Sequence, residues 1–145
     1  MTKSIWKHRP TVDELREMCR NTAVEHLGIE FIAVGDDHLV ARMPVDTRTV
    51  QPLGLLHGGA SVLLAETLGS AASHCCIDAR TQAAVGLEIN ANHVRAVRSG
   101  WVQGTVRPIH LGRSTQLWET RVVDAHDRLV CISRLTTSVL EKKAD

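Results

Sequence analysis

Apolar and polar residues alternate in different ways along the chain, and each pattern marks an element. Thr11-Val-Asp-Glu14 has the form of a capping box, and Leu15, Met18 and Cys19 give the helix that follows one apolar face. Asn21 to Gly28 reads as a short second helical turn ended by Gly28. Ile29–Val34 and His38–Val45 are strand-like and flank a hairpin turn, Gly35-Asp36-Asp37. After a turn at Asp78–Gln82 the helical pattern does not return. Four strands are predicted there: Ala84–Val97, Trp101–Ile109, Thr115–Asp124 and Leu129–Leu140. Ser99-Gly100, a loop at His110-Leu-Gly-Arg113, and Ala125-His126-Asp127 separate them. Alternation is partial in Leu117–Val123 and Val130–Arg134, which fits an antiparallel sheet with one face on a core.

The stretch from Gln51 to Cys76 follows neither period. After Gly58-Gly59 it becomes a run of Ala, Val, Leu, Ser and Gly, and a helix that is apolar all round is a buried helix. The predicted order is therefore helix, two strands, one long helix, four strands. The economical way to bury such a helix is an α+β fold in which an antiparallel sheet wraps around one long central helix. Residues 1–145 are read as one domain, without repeats or a linker.

Composition narrows the function classes. Net charge is +1 with 23% charged residues and no basic run, which argues against nucleic acid or an anionic membrane as partner. With 3% aromatic residues, base-stacking platforms are also unexpected. The opening MTKSIWKHRP has no apolar core of a signal peptide, and Ala60–Ala72 is too short and too punctuated to span a bilayer. Cys19, Cys75, Cys76 and Cys131 lack C-x-x-C spacing and read as reduced, buried thiols of a cytoplasmic protein. His8, His26, His38, His74, His93, His110 and His126 have no paired ligand spacing, so no metal site is expected.

Candidate chemistry centres on Glu66, the single carboxylate or permanent cation between Gln51 and Asp78. Its bland role is pairing with an arginine from the sheet. Its functional role is that of a desolvated carboxylate, more basic than usual, serving as general base or nucleophile. Ser70 follows at i+4 on the same face, placed to hold the carboxylate or a water, or simply to pack. His57-Gly58-Gly59 sits where a loop enters the helix, so unsatisfied N–H groups there form a donor site for an oxyanion. Gln51 precedes the helix and is placed to orient a carbonyl or a water through its amide. The span from Gly58 to Glu66 is about 12 Å at ~1.5 Å per residue, whereas a reacting atom needs both groups within about 3 Å. One helix cannot supply both. If both act, they come from two antiparallel helices across a two-fold axis, with active sites at the interface of a homo-oligomer. Basic residues at His93-Val-Arg95 with Arg98, and at His110-Leu-Gly-Arg113-Ser114, read as solvated charge or as phosphate receivers.

Together these residues resemble the hotdog-fold acyl-CoA thioesterases, from Ile5-Trp6-Lys7 to Leu140. The resemblance is carried by Met43–Thr49, Gln51–Glu66, Val85–Arg95 and His110–Ser114; it is strongest to the aryl-CoA members of menaquinone synthesis and next to those of enterobactin synthesis that clear misacylated carrier proteins, and Glu88–Arg95 leans toward the former. It implies that Glu66 attacks the thioester or activates water, and that the Gly58 amide polarises the carbonyl. Gln51 and His57 then contact the reacting centre, and the Ser70 hydroxyl assists. CoA would be bound by residues at Gly86, at His93, Val94, Arg95 and Ala96, and at His110, Leu111, Gly112, Arg113, Ser114 and Thr115. The sequence departs from its relatives at Arg113-Ser114-Thr115 and at Ser73-His74-Cys75-Cys76. The assembly implied is a tetramer made of two hotdog dimers. The expected reaction is hydrolysis of an aromatic acyl-CoA, of the 1,4-dihydroxy-2-naphthoyl or benzoyl type, with no metal or redox cofactor. Competing readings are a thioesterase acting on an aryl carrier protein, a hotdog hydroxyacyl dehydratase, and a non-catalytic acyl-CoA-binding module.

Overall fold

A computed structural model describes residues 3–144. Two short helices, α1 (Val12–Met18) and α2 (Ala23–His26), precede the hairpin of β1 (Glu30–Val34) and β2 (Leu39–Val45). The long helix α3 (Gly58–Cys75) follows. Four strands complete the chain: β3 (Gln82–His93), β4 (Gly100–Leu111), β5 (Thr115–Val123) and β6 (Leu129–Glu141). All six strands form one sheet in the order β1-β2-β4-β5-β6-β3, and every neighbouring pair is antiparallel. The long crossover from β2 through α3 to β3 carries the chain from one side of the sheet to its far edge, and α3 lies across the face between.

Burial follows from that placement. Leu64, Ala65, Leu68 and Ala72 of α3 are buried, as are Val102, Val106, Trp118 and Leu135 from the strands. Each large apolar side chain sealed this way contributes about 1.5–3 kcal/mol. The contact is close because glycine stands at two crossing points. A Cβ on Gly69 would lie 2.5 Å from Leu135 Cδ2, and one on Gly104 would lie 2.7 Å from Leu68 Cδ1.

The N-terminal segment fastens the ends. Thr11 and Glu14 form the capping box at α1, with both reciprocal bonds made (3.1 and 2.9 Å). Trp6 donates through Nε1 to the Gly35 carbonyl at 2.7 Å. The Lys7 and His8 amides both donate to the Cys75 carbonyl, at 2.9 and 3.2 Å, which satisfies an acceptor at the C-terminus of α3.

Three expectations need correction. The strand predicted to run to Val97 ends at His93, because the Val94 and Arg95 amides both turn to the Val130 carbonyl. His110 and Leu111, read as loop, continue β4 past a register shift at Pro108 and pair with Leu117 and Gln116, which leaves residues 112–114 as the turn. Helix α3 is not buried all round, since Glu66 and Thr67 are half-buried and Ser70 and His74 exposed. None of the helices among the described residues is long and apolar enough to cross a membrane.

A polar knot fixes the second half of α3. The buried Ser73 hydroxyl donates to Gln116 Oε1 at 2.6 Å and lies 2.8 Å from Thr137 Oγ1. Trp118 donates through Nε1 to the same Gln116 oxygen at 3.2 Å. Replacing Gln116 by Leu would strand the Trp118 Nε1–H in the core and leave the Ser73 hydroxyl with Thr137 Oγ1 as its remaining partner. Urea unfolding of Gln116→Leu should give a stability loss of about 2 kcal/mol or more.

Candidate active site

The uncovered stripe of α3 is where the chemistry collects. Residues four apart share a helix face, so Glu66, Ser70 and His74 line up along one side. They border a cleft of about 820 Å³. Its opposite walls are apolar: Leu15 and Met18 from α1, Val24 from α2, Phe31 from β1 and Ile89 from β3. The capped helices α1 and α2 build this wall. The signal was present in Leu15, Met18 and Cys19 at helical spacing, but their partner surface was invisible in the sequence. Thr67, which also lines the cleft, gave no signal of its own.

No arginine or lysine among the described residues pairs with Glu66, so the bland reading of that carboxylate fails. Burial pushes its carboxyl above the usual carboxylate range. The floor beneath it is Gly86 of β3, where an added Cβ would stand 2.5 Å from Glu66 Oε1. A strand irregularity between Gly86 and Glu88 marks the same spot. Gly86, expected to contact CoA, thus lies against the carboxylate itself. Among the described residues no hydrogen bond joins the Ser70 hydroxyl to Glu66, although both face the cleft.

The start of α3 is a separate donor site. His57 is the N-cap, and its Nδ1 accepts from the Gly59 amide at 2.8 Å. In the neutral ring this leaves the proton on Nε2, so His57 presents a donor outward. The Ala60 and Ser61 amides are also satisfied, both by the His57 carbonyl. Among the described residues, the Gly58 N–H is left as the free donor of the first turn. Gln51 directs Oε1 at the Leu53 amide, which leaves its Nε2 to donate. Gln51, Gly58, His93, Val94, Arg95 and Ala96 border a second cavity of about 450 Å³. The His93 ring rests on Gly58, since a Cβ there would meet Nε2 at 2.9 Å.

The predicted site residues are therefore brought to two places. Glu66 meets Gly86, whereas Gly58 meets His93, so β3 runs antiparallel beneath α3 and each end carries half of the constellation. Gly86 and His93 are seven residues apart, about 23 Å along a strand. His110, Leu111, Gly112, Arg113, Ser114 and Thr115 occupy the end of the β4–β5 hairpin. They share a sheet row with Gly86 through Thr137, Gln116 and Leu111, three strand spacings or about 14 Å away. In one chain this hairpin does not meet His93–Ala96. Cys75 and Cys76 stay out of the chemistry, since burial raises their thiols to about 11 and about 12, whereas Cys19, expected to be buried, is half-buried and lines the cleft.

Residues 53–131 match the model of the thioesterase superfamily. The chain is 52% identical to the 1,4-dihydroxy-2-naphthoyl-CoA hydrolase of Escherichia coli, covering 94% of this chain and 99% of that protein. It is 53% identical to the proofreading thioesterase EntH of Cronobacter turicensis, covering 94% and 98%. A crystal structure of a mutant thioesterase from Pseudomonas aeruginosa superposes with a TM-score of 0.94 at 48% identity, over 96% of this chain and all of that one. The chain belongs to the thioesterase superfamily. It is an α+β hotdog protein and a thioester hydrolase.

The Gly86 floor makes a test of the carboxylate's position. Gly86→Ala should force Glu66 aside and lower kcat by about ten- to a hundredfold. Thiol-release kinetics read the loss, with the thermal midpoint as a control for folding.

Proposed function

We propose that the chain hydrolyses an aromatic acyl-CoA, of the 1,4-dihydroxy-2-naphthoyl or benzoyl type, to the free acid and CoA. The observation that carries this reading is the unpaired, half-desolvated Glu66 on the wall of an apolar cleft wide enough for an aryl group. The Glu66 carboxylate attacks the thioester carbonyl or draws a proton from an attacking water. The Gly58 N–H, with Gln51 Nε2 and His57 Nε2 nearby, receives the charge growing on the carbonyl oxygen. Ser70 steadies the water or the acyl group. These groups supply base and electrophile without a metal or redox cofactor, and CoA enters as part of the substrate. The name of the relative from Escherichia coli supports an aryl-CoA thioester and that of the relative from Cronobacter turicensis a thioesterase with a proofreading role; a carrier-protein thioester and a place in menaquinone synthesis are what the family resemblance implies.

The reaction requires two chains. Glu66 and Gly58 of one helix stand about 12 Å apart. β3 is an edge strand whose outer side carries exposed Val85 and Leu87, and an open edge of twelve residues is a template for pairing. Two β3 edges joined antiparallel, residue 86 opposite the partner's residue 93, would set Glu66 of one protomer beside the partner's Gly58. The same pairing brings the partner's His93–Ala96 toward the hairpin at residues 110–115, where both segments serve one CoA. A tetramer of two such dimers, working in the cytoplasm, is the assembly that the family resemblance implies.

A hydroxyacyl dehydratase is the weaker reading. It wants a histidine base, and His57 has its Nδ1 lone pair engaged by the Gly59 amide. A binding module without turnover would have no use for a desolvated carboxylate.

Two measurements follow from Glu66. Free-thiol release from aryl- and alkyl-CoA thioesters should be fastest with aryl-CoA and should collapse in Glu66→Gln; no release from any thioester would overturn the reading. The raised carboxyl also fixes the sign of the pH effects. Activity needs the carboxylate, so it should fall with acid at a higher pH than an ordinary glutamate would set. The folded protein binds this proton more tightly than the unfolded chain. Stability from the group is therefore present at low pH and lost as pH rises through the raised value. At neutral pH, Glu66→Gln should accordingly raise the thermal midpoint while abolishing turnover.

A further inference from the structure

The polar knot behind α3 has a direction. Trp118 Nε1–H can only donate, so the atom it meets at 3.2 Å is the Gln116 oxygen and not the amide nitrogen. The Ser73 hydroxyl lies 2.6 Å from that same oxygen, which has no proton to give, so Ser73 commits its proton there. Thr137 must then be the donor in its 2.8 Å contact with Ser73. With its proton turned to Ser73, Thr137 Oγ1 has lone pairs alone to offer elsewhere.

The sheet register brings those lone pairs near Glu66. Thr137 on β6 is the direct partner of Gly86 on β3, and Gly86 is the residue against which Glu66 rests. Directly opposite residues hold their Cβ atoms about 5 Å apart. A Cβ on Gly86 would stand 2.5 Å from Glu66 Oε1. The Thr137 Cβ therefore lies within roughly 8 Å of the carboxylate. Glycine puts no side chain between them, and the span suits one bridging water with the carboxyl and the threonine oxygen as partners. Among the described residues no direct hydrogen bond joins Glu66 to Thr137.

Resting on the thioesterase reading, we propose that Thr137 is a positioning residue: through one water, its oxygen receives the hydrogen bond of the Glu66 carboxyl once Glu66 has drawn a proton from the attacking water. The attacking water's O–H bond breaks as its oxygen joins the thioester carbon, and the proton comes to rest on Glu66. The carboxyl O–H donates to the bridging water, which donates to Thr137 Oγ1, and no bond within the knot breaks. Glu66 then passes the proton to the departing thiolate sulfur, which restores the carboxylate. An acceptor in this place favours the protonated carboxyl and so adds to the basicity that burial confers.

Other titratable groups stand around Glu66. Cys19 beside α1 and His74 on α3 line the same cleft, to which α2, β1 and β3 present none. Glu88 of β3 points to the opposite face and accepts from Asn90 Nδ2 at 3.2 Å. Among the described residues, the buried positions of β2, β4, β5 and β6 carry no charge. The β3 pairing would add the partner's His57 and His93. All of these are the same in every variant below, so comparisons among the variants cancel them.

Ser73→Ala reverses the polarity of the knot. Thr137 loses its acceptor, and its proton turns toward the carboxylate, the strongest acceptor in reach. The test follows the Glu66 carboxyl by NMR in protein isotopically labelled at the glutamate side-chain carboxyl, with Glu66→Gln identifying the resonance. Ser73→Ala should lower the titration midpoint by about one pH unit, a tenfold change in acidity. The acid limb of thiol release should move with it. With valine at residue 137, Ser73→Ala should leave the midpoint where Thr137→Val alone places it; with serine there, it should lower it again. Thermal midpoints confirm that each variant is folded. An unmoved or raised midpoint in Ser73→Ala overturns the proposal, and so does an equal fall in the Thr137→Val background. Failure of the thioesterase reading appears separately, as absence of thiol release from any aryl-CoA while the carboxyl still titrates.

Discussion

Helix α3 has to be buried, and its one carboxylate must not be buried completely. An apolar helix of 18 residues finds stability only against a surface of matching length, which the strands supply. An ionisable carboxylate sealed under that surface without a partner would be neutralised or costly. The chain resolves the conflict by covering the Glu66–Ser70–His74 stripe only in part: Gly86 of β3 lies against Glu66, and α1, α2, Phe31 and Ile89 wall an open cleft. The cleft is the shape of that compromise. Its apolar wall raises the basicity of Glu66, and its open side admits a substrate.

The rest of the fold keeps this stripe in register. The Lys7 and His8 amides hold the last turn of α3, and the Ser73–Gln116–Thr137 knot fixes its rotation against β5 and β6. Gly86 sets the height of the carboxylate from below. At the other end, His57 turns its own lone pair toward Gly59 and thereby reserves the Gly58 N–H. Each support is a local contact, and together they place two half-sites on one rigid rod. A rod of that length cannot fold its ends together.

Much of this was legible in the residues. An apolar stretch broken by a single carboxylate identified Glu66, and the His-Gly-Gly entry to the helix identified the donor site. The six strands followed from alternation and turn chemistry. The arithmetic of helix rise alone separates the two half-sites. What was not legible depended on the neighbours. Nothing in Ser70 or His74 says that the sheet leaves their face uncovered, since a small or polar residue on a buried helix is usually packing. The end of β3 at His93 depends on the Val130 carbonyl, which is 36 residues away in the sequence. The closeness of Gly86 to Glu66 was hidden as well, since it arises only where β3 passes under α3.

The central claim is that Glu66 acts with the Gly58 amide of another chain, and complementation between two inactive variants tests it most directly. Glu66→Gln removes the carboxylate. Gly58→Pro removes the N–H at the first position of the helix, where proline is tolerated. Each variant alone should be nearly inactive. Mixed, unfolded and refolded together, they should recover about a quarter of wild-type activity, since half of the randomly assorted dimers carry one intact site. A mixture no more active than its two components would contradict the account and remove the Gly58 amide from the site that Glu66 of another chain serves.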